Sequence, residues 1–211
     1  MPLSGPVKLV YFDLRARGEL PRLIMHAAGQ PFEDSNDKAA HEAFLPFGQV
    51  PLLIDGDRKI VQSSTIARYL AKRLGLAGKS EDEEVLCDQF HEGTEDLYNA
   101  IWPCCTKYNN GSRERLEKGL AEGGSIFKYL TKFNEILKDR QFLVGDSLTY
   151  ADLALYNALT VVDTSAVDPQ TYLKDKFPNV KKHFDAVEAH PSIKAYLASP
   201  ARRPAFVPYA M

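Results

Sequence analysis

The stretch Phe47–Ser63, FGQVPLLIDGDRKIVQS, decides how this chain folds. It contains two short β-favouring runs, Leu52–Ile54 and Lys59–Val61, and the Asp55–Gly56 pair between them is typical of a hairpin turn. Because Pro51 cannot donate a hydrogen bond to a neighbouring strand, we expect it at the start of the first strand. The sequence therefore predicts a β-hairpin that begins at a proline.

The two ends of this hairpin predict a site for a small peptide. If the Val50–Pro51 bond is cis, the backbone of Val50 is left as an unpaired edge beside Gln49, and such an edge can pair with the amides of a peptide. Gln62–Ser63 stands where the next helix begins, and a helix N-terminus favours a carboxylate. We therefore expect a peptide-like ligand that carries a carboxylate.

Apolar periodicity around the hairpin predicts a small α/β domain, residues 1–77, with a mixed four-stranded sheet. Its other predicted elements are a strand at 7–12, a helix at 20–28, a brief strand at 32–34 and a helix at 66–74. Residues 35–46 show no clear period, which indicates an irregular or weakly helical loop. The order of elements is strand, helix, strand, then hairpin and helix.

The composition changes after this unit, and the polar run 78–84 is predicted to be a linker. Residues 85–211 show almost entirely helical spacing, which predicts an all-α helical-bundle domain. One long helix is indicated by Leu86, Phe90, Leu97 and Ile101, and its neighbour by Ile126, Leu130, Phe133 and Leu137. Thr149–Asp152 is predicted to be a capping box, in which the threonine hydroxyl binds the aspartate amide and the carboxylate reaches back.

Charge and cysteine usage narrow the class of function. The formal net charge of −2 over 211 residues gives no reason to expect a nucleic-acid partner. No apolar run approaches the roughly 20 residues of a membrane helix, and we expect no signal peptide. Cys87, Cys104 and Cys105 are an odd number without framework spacing, so we expect free thiols in a reducing, cytoplasmic compartment. There is no C-x-x-C or H-E-x-x-H motif, and we expect no metal site.

Five motifs together resemble the cytosolic glutathione transferases of the tyrosine type, nearest to the sigma and pi classes. They are YFDLRARGE at Tyr11–Glu19, FGQVP at Phe47–Pro51, QSSTIARYL at Gln62–Leu70, EDL at Glu95–Leu97 and GDSLTYAD at Gly145–Asp152. The resemblance implies a thioredoxin-like domain that binds glutathione, a helical domain that supplies most of a hydrophobic substrate pocket, and a homodimer. Glutathione would be the co-substrate, and hydrophobic electrophiles the second substrates.

The resemblance gives Tyr11 the central role, because the matching hydroxyl in the family donates a hydrogen bond to the glutathione sulfur. A hydrogen bond to the thiolate lowers the pKa of the thiol, which is ordinarily about 8.5. Arg17 matches the arginine that orients this tyrosine. The alternatives are that Tyr11 is a core aromatic residue at a strand end and that Arg17 is a solvated surface residue.

The remaining glutathione contacts also follow from the resemblance. They are Gln49, Val50 and Pro51 at the cysteinyl part, Gln62 and Ser63 at the γ-glutamyl carboxylate, and Asp96 at the γ-glutamyl amine of the neighbouring subunit's ligand. The family's Trp and Lys, which hold the glycyl carboxylate, are missing from residues 35–46. Glu42 stands about where the lysine is expected, and Lys38, His41 and Phe44 are the candidates to replace it.

The second-substrate pocket is assigned by the same correspondence. Its predicted residues are Phe12, Leu14, Trp102, Cys105, Thr106 and either Phe206 or Tyr209, although each could equally be ordinary core. Phe47 matches an aromatic residue that inserts into the other subunit. Two other functions stay open at this point: a glutathione-dependent isomerase resembling prostaglandin D synthase, and a non-catalytic relative resembling the lens crystallins.

Overall fold

A four-stranded mixed sheet forms the first half of the molecule, as the sequence predicts. The structure is a computed structural model that describes residues 3–105, 112–162 and 169–205, with the backbone alone at 105, 162, 169 and 170. The first half contains β1 (Val7–Val10), α1 (Ala16–Ala27), β2 (Glu33–Ser35), a 3-10 helix (Ala39–Phe44), β3 (Leu52–Asp55), β4 (Arg58–Val61) and α2 (Ser63–Leu74). The strand order is β2-β1-β3-β4, in which β1 and β2 are parallel and the other pairs antiparallel.

The predicted hairpin is confirmed, although its turn residues are Gly56 and Asp57 and not the predicted pair Asp55–Gly56, because Asp55 belongs to β3. Leu52 pairs with Val61 and Asp55 with Arg58, so two residues form the turn. One of them is Gly56, at a φ of 56°, a left-handed conformation that glycine adopts without steric cost. The Val50–Pro51 peptide bond is cis, and Val50 lies ahead of the first paired residue of β3.

In the second half, every regular element that the structure describes is a helix. It contains α3 (Glu81–Cys105), α4 (Arg113–Leu120), α5 (Ser125–Ile136), α6 (Tyr150–Val162), α7 (Pro169–Lys176), α8 (Pro178–Ala189) and α9 (Pro191–Leu197). Helix α6 is buried on nearly all sides and packs along α3. Ala151, Ala154 and Ala158 are all buried on α6, and these small side chains let its neighbours approach closely.

The mixed sheet with its two helices and the seven helices after it together give a thioredoxin-like domain followed by a helical bundle, in the part of the chain that the structure describes.

The predicted linker 78–84 is too long, because α3 already begins at Glu81. The Ser80 hydroxyl accepts a hydrogen bond from the Glu83 amide at 3.2 Å, which caps the helix. The first turn is acidic over residues 81–84, and negative charge there stabilises a helix N-terminus. The polar run 78–84 therefore contains both a short connection before Glu81 and the first turn of α3.

The buried face of α3 differs from the prediction at its N-terminal end. Leu86 is 40% exposed and Phe90 is only partly buried, whereas Cys87, His91 and Thr94 are buried. Farther along the helix, Leu97 and Ile101 are buried as predicted, and so are the four predicted residues of α5 and its end. Apolar spacing misplaced the first turns of α3 because polar side chains occupy the inner face there.

Candidate functional site

A cleft of about 360 Å³ lies where the hairpin, the N-terminus of α2, the start of α1 and the middle of α3 meet. Its lining residues are Arg17, Gln49, Val50, Pro51, Gln62, Ser63, Ser64 and Glu95. Six of the residues that the sequence predicts for glutathione therefore lie around a single cleft. Ser64 and Glu95 were not predicted.

Tyr11 follows the last residue of β1 and is only 8% exposed. Its hydroxyl oxygen accepts a hydrogen bond from the Arg17 backbone N–H at 3.3 Å. Burial raises the pKa of Tyr11 above its ordinary value, although the Arg17 amide and the Arg17 and Arg22 charges oppose the shift. The phenol is therefore protonated at neutral pH and can donate its hydrogen to a ligand.

Arg17 is held on three sides by the helical domain and α2. Its Nη1 donates to Glu95 Oε2 at 2.5 Å and lies 3.4 Å from the Ser63 hydroxyl, and its Nη2 donates to Asn99 Oδ1 at 2.8 Å. The guanidinium also lies over the Tyr98 ring, 4.6 Å from the ring centroid. Arg17 is thus an organised part of the cleft, which contradicts the alternative of a solvated surface arginine.

The N-terminus of α2 opens into the cleft without a capping side chain. Gln62 precedes the helix at a φ of 72°, a left-handed conformation that is uncommon for a residue with a side chain. Strained conformations of this kind cluster at ligand-binding sites. The first-turn amides at Ser63 and Ser64 have no partners within the helix and can bind an anion.

Three predicted glutathione residues are not among the lining residues, and one of them, Tyr11, contacts the lining through the Arg17 amide. Lys38 lies at the start of the 3-10 helix and is not among the cleft residues. Asp96 is exposed on the outer side of α3, so it does not face the cleft of its own chain. Its assignment to a neighbouring subunit's ligand stays a prediction, as does that of Lys38.

The sequence shows that Glu95 and Asp96 form an acidic pair on a helix, but it does not show which of the two faces the cleft. Neighbouring residues on a helix point about 100° apart, so only one member of the Glu95–Asp96 pair can face α1. The structure selects Glu95.

Part of the predicted second-substrate wall lies next to Tyr11. The Phe12 side chain is 49% exposed, and its ring centroid lies 5.3 Å from that of Tyr11. Leu14 and Trp102 are partly buried, and the Trp102 ring is stacked on Tyr98, with centroids 5.8 Å apart. The Cys105 side chain and residues Thr106, Phe206 and Tyr209 lie outside the described residues.

Other reactive groups offer little chemistry near the cleft. Cys87 and Cys104 are buried free thiols, and burial raises the pKa of Cys87 to about 11, so its nucleophilic thiolate is scarce at neutral pH. Within residues 3–105, 112–162 and 169–205, no three His, Cys, Asp or Glu side chains are grouped to hold a metal ion. None of the helices described is both long and apolar enough to cross a membrane.

Family models and known proteins match this sequence over nearly the full chain. Residues 7–72 match the glutathione S-transferase N-terminal domain model, and residues 95–200 match the C-terminal domain model. The chain is 34% identical to glutathione S-transferase 1 of Ascaris suum, over 93% of this chain and 98% of that protein.

Solved structures give the same result. A pi-class glutathione S-transferase of Onchocerca volvulus superposes with a TM-score of 0.77 at 30% identity, covering 90% of this chain and 91% of that one. A structure of monomeric Na-GST-3, from the hookworm Necator americanus, superposes with a TM-score of 0.76 at 31% identity, covering 93% of this chain and 98% of that one. The chain belongs to the glutathione S-transferase family.

Proposed function

We propose that the cleft binds glutathione and that the Tyr11 hydroxyl stabilises the glutathione thiolate for attack on hydrophobic electrophiles. The observation that carries this proposal is the convergence of separate stretches of chain. A hairpin start with an unpaired backbone edge and an uncapped helix N-terminus meet at one cleft. Arg17 lines the same cleft, ties α1 to α3, and donates its backbone amide to the buried Tyr11 phenol. Family membership supports the same reaction.

In this arrangement the cysteinyl and γ-glutamyl parts of the tripeptide each meet a complementary group. The backbone at Val50 pairs with the cysteinyl residue, while the amides at Ser63 and Ser64 receive the γ-glutamyl carboxylate. Tyr11 donates its hydroxyl hydrogen to the sulfur. A decrease of about two units in the thiol pKa corresponds to about 2.7 kcal/mol and makes the thiolate the main species at pH 7. The thiolate then forms a C–S bond with the electrophilic carbon, whose leaving group departs with the bonding electron pair.

The decisive experiment on this mechanism is the substitution Tyr11→Phe. Loss of the hydroxyl should raise the pH at which bound glutathione ionises by about two units, because the donor to the thiolate is removed. Glutathione affinity should change little, since the peptide and carboxylate contacts are kept. The ionisation is measured by the ultraviolet absorbance of the bound thiolate, and turnover by conjugation of 1-chloro-2,4-dinitrobenzene.

Tyr172→Phe is the matched control. The Tyr172 hydroxyl donates to the Leu120 carbonyl at 2.5 Å, in a part of the helical domain away from the cleft. This variant should keep the parent's ionisation pH and turnover. If Tyr11→Phe also kept the parent's ionisation pH, Tyr11 would have no part in activating the thiol.

We also propose a homodimer in which Phe47 inserts into the partner. Phe47 is 67% exposed, while Val85 and Leu86 on α3 are 61% and 40% exposed, so the chain presents a large aromatic group and an apolar helix face. Asp96 of one chain would then reach the γ-glutamyl amine of the partner's ligand. One solved relative is described as monomeric, so the oligomeric state of this chain needs direct measurement.

Sedimentation of Phe47→Ala tests the dimer. The variant should dissociate at concentrations at which the parent is dimeric, while its free energy of unfolding as a monomer changes little because Phe47 is exposed. Phe44→Ala, at a side chain that is 42% exposed, is the control and should leave the association unchanged. An unchanged association constant for Phe47→Ala would remove Phe47 from the interface.

The cellular setting proposed is the cytoplasm. The free thiols of Cys87 and Cys104 are the form that a reducing compartment maintains, which supports this location. Conjugation of hydrophobic electrophiles there would serve detoxification.

A further inference from the structure

Arg203 lies after α9, and each nitrogen of its guanidinium donates a hydrogen bond to the thioredoxin-like domain. Nε donates to Asp34 Oδ2 at 2.8 Å, Nη1 to Asp13 Oδ1 at 2.7 Å, and Nη2 to the Asp34 carbonyl at 3.0 Å. Because a guanidinium is planar and holds its donors in a rigid fork, these bonds fix two stretches of chain relative to each other. Arg203 with Asp13 and Asp34 is called the Arg203 clamp below.

The two stretches that the Arg203 clamp joins both hold Tyr11. Asp13 follows Tyr11 after one intervening residue, so it belongs to the same short segment between β1 and α1. Asp34 precedes Ser35, whose carbonyl accepts a hydrogen bond from the Tyr11 amide at 2.9 Å. A movement of either stretch would therefore move the backbone that carries the phenol.

Arg22 connects the same stretches from inside the domain. Its side chain is 1% exposed, and its Nη1 donates to the Leu14 carbonyl at 2.9 Å. Its Nε and Nη2 donate to the two Asp34 oxygens at 2.9 and 3.2 Å. Asp34 Oδ2 thus accepts from Arg22 and Arg203 at once, and bonds between charged groups of this kind are stronger than those between neutral groups.

The segment that carries the clamp arginine, residues 198–204, is fixed at both of its ends. At one end the Ser199 amide donates to the Tyr196 carbonyl of α9 at 2.9 Å. At the other end the Pro204 carbonyl accepts from the Arg15 amide at 3.1 Å. The segment therefore gives the clamp a fixed base on the helical domain.

We infer that Arg203 is a positioning residue for Tyr11, which acts from outside the cleft and holds the phenol where it donates to the glutathione thiolate. The inference rests on the proposed role of Tyr11. Arg203 is not among the residues that line the cleft, so it acts through Asp13 and Asp34 and not on the ligand. Loss of the clamp should weaken thiol activation and leave glutathione affinity nearly unchanged.

Arg203→Gln and Asp13→Ala test the clamp from its two ends. The Asp13 side chain is 57% exposed, so its variant should fold and reports on the clamp even if Arg203→Gln is unstable. Ultraviolet titration gives the ionisation pH of bound glutathione, and the conjugation assay gives kcat and KM. Both variants should raise the ionisation pH by about half a unit to one unit and decrease kcat about 3- to 10-fold, with the KM for glutathione within about twofold of the parent's.

The pair of variants separates positioning from a through-space effect of charge. Arg203→Gln removes a positive charge, which by itself would raise the pKa of the bound thiol, whereas Asp13→Ala removes a negative charge, which by itself would lower it. Positioning requires both variants to raise the ionisation pH. Shifts of opposite sign would overturn the inference.

The Tyr11→Phe background tests whether Arg203 acts through the phenol. In that background Arg203→Gln should cause no further change of the ionisation pH, because the group that it positions is missing. A further increase would overturn the inference. Arg113→Gln is the matched control, since Arg113 Nε donates to Glu117 at 2.8 Å from an exposed side chain on α4. This control should keep the parent's ionisation pH and kcat.

The inference and the proposed function can fail separately. If Tyr11→Phe raises the ionisation pH but Arg203→Gln and Asp13→Ala keep the parent's value, the inference is wrong and the proposed function stands. If Tyr11→Phe itself keeps the parent's value, the proposed role of Tyr11 fails and the inference fails with it.

Discussion

A glycine inside α1 allows Tyr11 to lie where it does. A Cβ atom at Gly18 would lie 2.4 Å from Tyr11 Cδ1 and 2.6 Å from Cγ, atoms that cannot move without the whole ring. Glycine costs a helix interior about 1 kcal/mol relative to alanine, and Gly18 has no left-handed φ that would require it. Close approach of the helix to the phenol therefore explains this residue.

We expect Gly18→Ala to damage thiol activation while leaving the fold intact. The new methyl group displaces the Tyr11 ring from its place beside the Arg17 amide, so the ionisation pH of bound glutathione should increase and kcat/KM should decrease about tenfold or more. The same ultraviolet titration and conjugation assay measure both quantities.

Gly93→Ala in α3 is the control for this substitution. A Cβ there would meet only Phe133 Cζ, at 3.9 Å, which is ordinary contact. This variant should gain helix stability and keep the parent's activity. If Gly18→Ala kept the parent's ionisation pH as well, the close approach would not position Tyr11.

At the scale of single residues, the resemblance predicted the cleft better than the residue pattern could. Arg17 and the hairpin residues line one cleft and Tyr11 contacts the Arg17 amide, because each belongs to a motif with a fixed place in the fold, while their roles toward glutathione stay predictions. Glu95 and Gly18 were missed because their roles depend on distances across the cleft and across α1. Such distances leave no periodic pattern in the sequence.

Among the elements, the N-terminus of α6 depends on one buried carboxylate. Asp152 Oδ2 accepts from the Thr149 amide and hydroxyl, each at 2.8 Å, while Oδ1 accepts from the Leu143 amide at 2.7 Å and lies 2.9 Å from His183 Nε2. The predicted capping box is therefore half correct. The carboxylate reaches back as expected, but the Thr149 hydroxyl donates to it and does not accept from the Asp152 amide.

Asp152→Ala should lower the free energy of unfolding by about 3 kcal/mol or more, because buried donors at Leu143, Thr149 and His183 lose their acceptor. Asp146→Ala, at an exposed side chain paired with Lys79, should change it by no more than about 0.5 kcal/mol. Urea unfolding measures both. Equal effects at the two sites would mean that the buried network does not stabilise α6.

Periodicity predicted most of the elements correctly, and its errors have a physical cause. The α5 stripe is uniformly apolar, so its buried face was assigned correctly. In α3 the inner face carries His91 and Thr94, and apolar spacing alone therefore pointed to the wrong side of the first turns. The acidic first turn of the same helix was taken for a linker.

For the whole molecule, His91 links stability to pH. Its side chain on α3 is fully buried, and neither ring nitrogen has a hydrogen-bond partner among the described residues. Burial lowers the pKa of His91 from 6.5 to about 4. The unfolded chain therefore binds this proton at a higher pH than the folded chain, so stability is lost as the pH decreases from about 6.5 to about 4.

We expect the parent to lose about 3 kcal/mol more of unfolding free energy than His91→Leu between pH 7 and pH 4. The leucine variant lacks the titrating group and should show a flatter dependence on pH. Chemical unfolding at the two pH values measures the difference. An equal loss in both proteins would mean that His91 does not cause the acid sensitivity.

The division into two domains was predictable from the change of composition, but the connections between the domains were not. Tyr11 belongs to the segment that runs from the end of β1 into α1. Residues of α3 and residues that follow α9 bind this segment through hydrogen bonds and ion pairs. Arg17 contacts Glu95 and Asn99, the Arg15 amide donates to the Pro204 carbonyl at 3.1 Å, and Arg203 pairs with Asp13 and Asp34 at 2.7 and 2.8 Å.

These connections bear on the design of hybrid enzymes. A chimera cut between α2 and α3 would transfer the thioredoxin-like domain but leave behind the partners of Arg15, Arg17 and Asp13. The donor of the helical half would then set the alignment of Tyr11, the proposed catalytic group, which it does not itself encode. Exchange of halves between distant members therefore requires matched residues on α3 and after α9, not merely a suitable junction.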